Sequence, residues 1–195
     1  MARQVPQIMD TIRHATRSTP VGPQPGPGRL LLYGDSLDSL EYLAVPVPHE
    51  HGTLDDRRTR AMIVGIRVPD TNHPRQTLRT QLRAAHDILT KPLRTHPLVR
   101  HIFYIVEVPS DSPTHDRAVN ALSAATCAHH AEIEMRHGRD ICITGIVTTC
   151  RTAPAALAAR VHQRITATPF ESYYAISWDQ IAHRSIAAAA AEALL

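Results

Sequence analysis

Cysteine and long apolar runs are scarce in this 195-residue chain, and each scarcity excludes something. Three cysteines, Cys127, Cys142 and Cys150, are an odd and sparse set. They rule out a disulfide scaffold and fit a reduced, intracellular protein, nuclear if the source is eukaryotic. No apolar stretch approaches the roughly 20 residues that cross a bilayer, so no membrane partner is expected. The opening MARQVPQIMDTIRHATR has no apolar core of the kind a secretion signal needs. No internal repeat is visible. Net charge is modest, +3 with the histidines neutral, and the basic residues are mostly arginine. Such a bias permits nucleic-acid binding without requiring it.

What is present reads as one domain behind an arm. Residues 1–17 have the makings of a short helix, and STPVGPQPGPG (18–28) is a Pro/Gly linker that cannot build a packed core. The domain therefore begins near Arg29 and runs to Leu195, long enough to bury a sizeable core. Strands are expected at 30–33, 42–47, 60–68, 99–108 and 141–149. Between them, Leu78, Leu82, Ala85 and Leu89 recur at helical spacing. A second helix is expected to start at Asp111 or Ser112 with Pro113 in its first turn, and to close at Gly138. A third is expected to be capped by Thr152. SWDQIAHRSIAAAAAEALL opens with a Ser-x-x-Gln capping box and reads as a helix to the end. Apolar strands separated by helices of this length imply a central sheet covered on both faces. The expected class is α/β, a three-layer sandwich with a central mixed sheet.

Three motifs carry chemistry. In RLLLYGDSLDSLEYL (29–43), the Gly-Asp-Ser-Leu after an apolar strand has the wording of a serine-hydrolase nucleophile turn, and DTNHP adds Asp70-x-x-His73. Ser36, Asp70 and His73 would make a triad if the fold brought them within hydrogen-bond reach. No Gly-x-Asn-Asp accompanies them, and the Asp-His pair falls on the wrong side of most of the fold. A small esterase is thus one alternative reading, and a protein–protein interaction module with no nucleic-acid role is the other. Cys127, His130, Glu134 and His137 lie at i, i+3, i+7 and i+10, one side of a helix, with ligand types that suit Zn²⁺. One helix rarely closes a tetrahedral site, even with His49 and His51 in reserve. Arg75, Arg79 and Arg83 form a stripe opposite the Leu78/Leu82/Leu89 face. With Arg57 and Arg58 nearby they would meet phosphates, and a solvated helix face is the plainer reading of the same stripe.

The second half resembles the nuclease domain of the XPF-type structure-specific endonucleases. The residues that carry the likeness are Arg79, Gln81 and Leu82 on a helix, Tyr104, Val106 and Glu107 on the strongest strand, Thr148 ending another, and Ala155–Ala159 on the helix after it. The resemblance spans about residues 60–195 and implies a restriction-nuclease-like fold. Family enzymes cluster carboxylates from Asp-x-Arg-Glu, Gly-Asp and Glu-Arg-Lys motifs around a divalent metal, Mg²⁺, that activates water. Here Gly34-Asp35 matches the Gly-Asp. The strand in the Glu-Arg-Lys slot reads Gly65-Ile66-Arg67, lacking both the Glu and the Lys, and no Asp-x-Arg-Glu lies upstream. Asp35 and Glu107 are the carboxylates left as catalytic candidates. The resemblance therefore implies a pseudo-nuclease needing no cofactor, one that binds DNA, branched DNA included, in repair or recombination. Its partner would be a homologous nuclease subunit in a heterodimer, or a second copy of itself.

Overall fold

The computed structural model describes residues 29–43, 59–69, 74–109, 115–167 and 173–193. Five strands, β1 (Arg29–Gly34), β2 (Thr59–Arg67), β3 (His101–Val108), β4 (Cys142–Thr149) and β5 (Tyr173–Ser177), form one sheet. They lie side by side in chain order, and every pairing is parallel. The expected mixed sheet is thus corrected to a parallel one among the described residues; the three-layer α/β class stands. Parallel strands need long crossovers, and burial on both faces explains why β2, β3 and β4 read as near-continuous apolar runs.

Side-chain alternation divides the core in two. Even-numbered residues of β2 and β3, among them Met62, Val64, Ile102 and Tyr104, pack with Leu78, Leu82, Leu89 and Leu93 of α1 (Pro74–Thr95) and Leu122 and Ile133 of α2 (His115–His137). Odd-numbered residues, among them Ile63, Phe103 and Ile105, face Leu37 and Leu40 of a short 3-10 turn (Asp38–Leu40) and Leu157 and Val161 of α3 (Pro154–Thr166). Each fully buried Leu or Ile in these layers contributes roughly 1.5–3 kcal/mol relative to exposure. Close packing also dictates Gly145. A Cβ there would sit 2.4 Å from Cγ of Leu122, so α2 approaches β4 over bare backbone.

This division has a topological consequence. Steps along the sheet run one way, yet α1 and α2 cover one face and α3 the other. The β4–α3–β5 crossover therefore has the opposite hand to the two before it, although parallel crossovers are right-handed in about 98% of cases.

Several expectations need correcting locally. Tyr42 and Leu43 lie in a turn, not a strand, and 44–47 lie outside the described residues. Thr152 does not cap α3. Its hydroxyl accepts the Thr149 N–H at 3.1 Å, and the cap position is Ala153, followed by Pro154. β5 has no counterpart in the expected elements, because its five residues carry little alternation. The C-terminal helix is two pieces, α4 (Trp178–Ile181) and α5 (Ile186–Ala193). The capping box does form, Gln180 Oε1 accepting the Ser177 N–H at 2.9 Å and the Ser177 hydroxyl at 3.2 Å. Gly138 closes α2 at φ +59° as expected, while 111–113 lie outside the described residues. Among the described residues no helix is long and apolar enough to cross a membrane.

Candidate functional site

The carboxyl ends of β1, β2 and β3 bring Asp35, Arg67 and Glu107 together. Parallel register sets Arg67 beside Glu107 and Glu107 beside Thr148. These positions continue the odd-numbered series, so they stand at the end of the sheet face that the 3-10 turn and α3 cover. Two glycines let β1 and β2 close up there. Gly34 has φ +79°, and a Cβ on Gly65 would lie 2.4 Å from the Asp35 carbonyl oxygen. The Asp35 N–H then donates to the Gly65 carbonyl at 2.9 Å.

Arg67 is held through its backbone and its side chain. Its backbone N–H donates to Asp35 Oδ2 at 2.7 Å, and its carbonyl accepts from Gln81 Nε2 of α1 at 3.0 Å. Its Nε donates to Glu107 Oε1 at 3.1 Å and its Nη2 to the Ser36 carbonyl at 3.2 Å. The carboxylates that the sequence nominates as catalytic, Asp35 and Glu107, thus both turn to one arginine. The guanidinium lies beside Glu107, while Asp35 meets the Arg67 backbone N–H. Among the described residues no group of three or more His, Cys, Asp or Glu is placed to hold a metal ion.

The other nominated residues fall in several places. Ser36 is exposed, and its carbonyl serves Arg67. Asp70 and His73 lie outside the described residues, as do His49, His51, Arg57 and Arg58. The helical Cys/His/Glu set does not converge. His130 Nδ1 is 3.1 Å from the Ile141 carbonyl, and its Nε2 is 3.8 Å from Glu134. The exposed Cys127 interacts with Tyr173, whose phenol it holds above the usual range. The His137 pKa is lowered by burial first and then by the nearby charges of Arg94, Arg139 and Arg136.

Arg75, Arg79 and Arg83 are exposed on α1. At 100° per residue they lie about a quarter-turn from the buried face, not opposite it. They share a flank with His86, whose Nε2 meets Glu132 of α2 at 3.0 Å, so the stripe borders the α1–α2 groove. The helix as a whole carries five basic residues (Arg75, Arg79, Arg83, Lys91 and Arg94) against one acid, Asp87. The whole chain is only +3, so α1 by itself exceeds the net charge of the protein.

Beneath that groove is a polar chain that sequence reasoning missed. The His86 ring stacks on His129 at 4.2 Å, and His129 Nδ1 is 3.1 Å from the hydroxyl of fully buried Tyr104. Burial, and then the neighbouring His86, lower the His129 pKa to about 4, while burial raises that of Tyr104. At the far end of the sheet His101 is likewise lowered to about 4, by burial and then by Arg164 and Arg100.

Comparison with protein-family models, with curated proteins and with solved structures finds no match for this chain.

Proposed function

We propose that this chain is a non-catalytic, nuclease-like DNA-binding protein, acting as the partner subunit of a structure-specific endonuclease on branched DNA. The observation that carries the binding half is the charge of α1. Its cations stand on exposed positions along 22 residues, about 33 Å, close to one turn of duplex. Backbone phosphates are the ligands such a track selects, since each neutralised phosphate releases counterions. The non-catalytic half rests on Arg67, which engages both remaining carboxylates. The two features also lie on opposite faces of the sheet. A duplex on α1 is not thereby presented to Asp35.

The test uses the full chain with a labelled branched DNA and a linear duplex, in Mg²⁺, reading anisotropy and gel from the same samples. Salt-sensitive binding without cutting supports the reading. Mg²⁺-dependent cutting that survives Asp35→Ala but needs other carboxylates refutes the non-catalytic half. Absence of binding to either DNA at low salt refutes the whole.

A further inference from the structure

Beyond the α1 stripe, arginines also gather at the amino edge of the sheet, where α1 ends, β3 begins and α2 ends. Arg139 draws these three together. Its Nη1 donates to the Leu93 carbonyl at 2.9 Å, and its Nη2 to those of Pro97 at 2.9 Å and Val99 at 2.5 Å. Leu93 and Val99 are the immediate neighbours of Arg94 and Arg100, so the clamp sets three arginines close together. The Arg100 amide also donates to the Arg60 carbonyl on the adjoining strand at 2.9 Å. From α2, Arg136 and His137 complete the group, and His137 senses Arg94, Arg139 and Arg136 as neighbouring charges.

The acids nearby do not balance this group. Glu132 accepts from Arg136 at 2.7 Å and is also the partner of His86. Asp140 is exposed and follows Arg139 in the chain. Arg94 and Arg100 are exposed, and among the described residues neither has a carboxylate partner. Cations at helix C-termini complement the helix dipoles of α1 and α2, worth roughly 0.3–1 kcal/mol each at a surface. That accounts for Arg94 and Arg136. It does not account for Arg100, which precedes β3, or for the gathering of Arg94, Arg136 and Arg139 near one imidazole. Guanidinium groups in such a cluster suit phosphate oxygens, which each can meet with two parallel N–H donors.

We propose that Arg94, Arg136 and Arg139, neighbours of His137, together with Arg100 beside Arg139, form at the amino edge of the sheet a phosphate-binding cluster for a nucleic-acid backbone. The proposal rests on the DNA-binding reading and extends it: the track along α1 ends in an anchor instead of fading out at Arg94. Arg139 holds the loop with its donors, so Arg94 and Arg100 are the groups free to reach a ligand.

The experiment compares wild type, Arg94→Gln/Arg100→Gln and Arg75→Gln/Arg79→Gln, each checked for an unchanged melting temperature. Two ligands are used, a labelled duplex read by anisotropy and inorganic tripolyphosphate read by thermal shift. The expected result is a loss of duplex affinity of at least fivefold in Arg94→Gln/Arg100→Gln, with the slope of log K against log salt shallower by about 1.8. If that variant binds duplex like wild type while Arg75→Gln/Arg79→Gln is weakened, the cluster is overturned and the α1 reading stands. If wild type ignores duplex but is stabilised by tripolyphosphate through Arg94 and Arg100, the phosphate site stands and the nucleic-acid ligand is refuted. If neither ligand binds, both readings fall.

Discussion

Converting Arg75, Arg79 and Arg83 together to glutamine should change how the protein's DNA affinity depends on salt. The residues are exposed and lie one helical turn apart, about 6 Å along the axis at each step. They share a flank with His86, which meets Glu132 of α2, so all three lie on the side of α1 that borders α2. Each phosphate neutralised on duplex contributes about −0.9 to the slope of log K against log salt. Three contacts therefore contribute about −2.7, which over a fourfold rise from 50 to 200 mM is a loss of about fortyfold. The triple variant should lose that part of the slope, binding more weakly at 50 mM and converging on wild type as salt rises. Glutamine keeps much of the length and helix propensity of arginine, and none of the three side chains belongs to the core, so the melting temperature should stay within a few degrees. Fluorescence anisotropy with a duplex of about 20 base pairs, titrated at five salt concentrations, measures the slope directly. Equal slopes for wild type and variant, with both binding, would show that these arginines meet water and not phosphate, and would remove the main support for the proposed function.

Three further outcomes follow from the packing and the buried histidines. Gly145→Ala places a methyl against Leu122 and should cost about 1–3 kcal/mol. Adding Leu122→Ala should then cost less than the sum of the single changes, measurable by urea denaturation. His101 and His129 have folded pKa values near 4, below the ordinary imidazole value of 6.5. The unfolded chain therefore binds those protons first. Stability is complete above about pH 6.5 and falls as pH drops towards 4, by up to about 3 kcal/mol per histidine. His129→Gln should flatten that fall between pH 6.5 and 4.5, and an unchanged profile would mean that His129 carries no such linkage. Arg67→Gln should weaken the β1–β2 carboxyl end by about 1 kcal/mol, since Arg67 is 52% exposed and its pair with Glu107 is partly screened. A loss above about 3 kcal/mol would show that Arg67 is a main support of the fold.

The layers were legible in the sequence because their cause is local. Leu78, Leu82, Ala85 and Leu89 at helical spacing, and the apolar runs at 60–68 and 141–149, declare which faces are buried. β5 was not legible: Tyr173–Ser177 is a short edge strand whose exposure falls gradually along its length, with no alternation to read. The direction of pairing was hidden too, since apolar runs do not state which neighbour they lie against. At the site, Asp35 and Glu107 are the carboxylates the sequence nominates, and the strands bring them to one edge. In the sequence Arg67 is only the residue standing where a Glu-Arg-Lys is expected. That it would engage both carboxylates depends on register between three strands, which spacing along one chain does not encode. The amino-edge cluster was missed for the same reason. Arg94, Arg100, Arg136 and Arg139 are scattered over 46 positions and meet only because two helices end where a strand begins.

The reversed crossover sets the cationic helix and the Arg67–Glu107 pair on different faces of the sheet. With α1 and α2 on one face and α3 on the other, Arg67 and Glu107 point away from the face that carries the cationic helix. On their own face they have acidic neighbours, Asp38 and Glu41, beside the 3-10 turn. Like charge there repels a phosphate backbone, and the single arginine does not reverse it. The cations of α1 start at that same carboxyl edge, where Gln81 of the helix reaches the Arg67 carbonyl at 3.0 Å, and run along the other face towards the amino edge. What parts them from Glu107 is therefore the face of the sheet and not distance along it. On the proposed reading, a duplex lying on α1 is held off that carboxylate by the sheet itself.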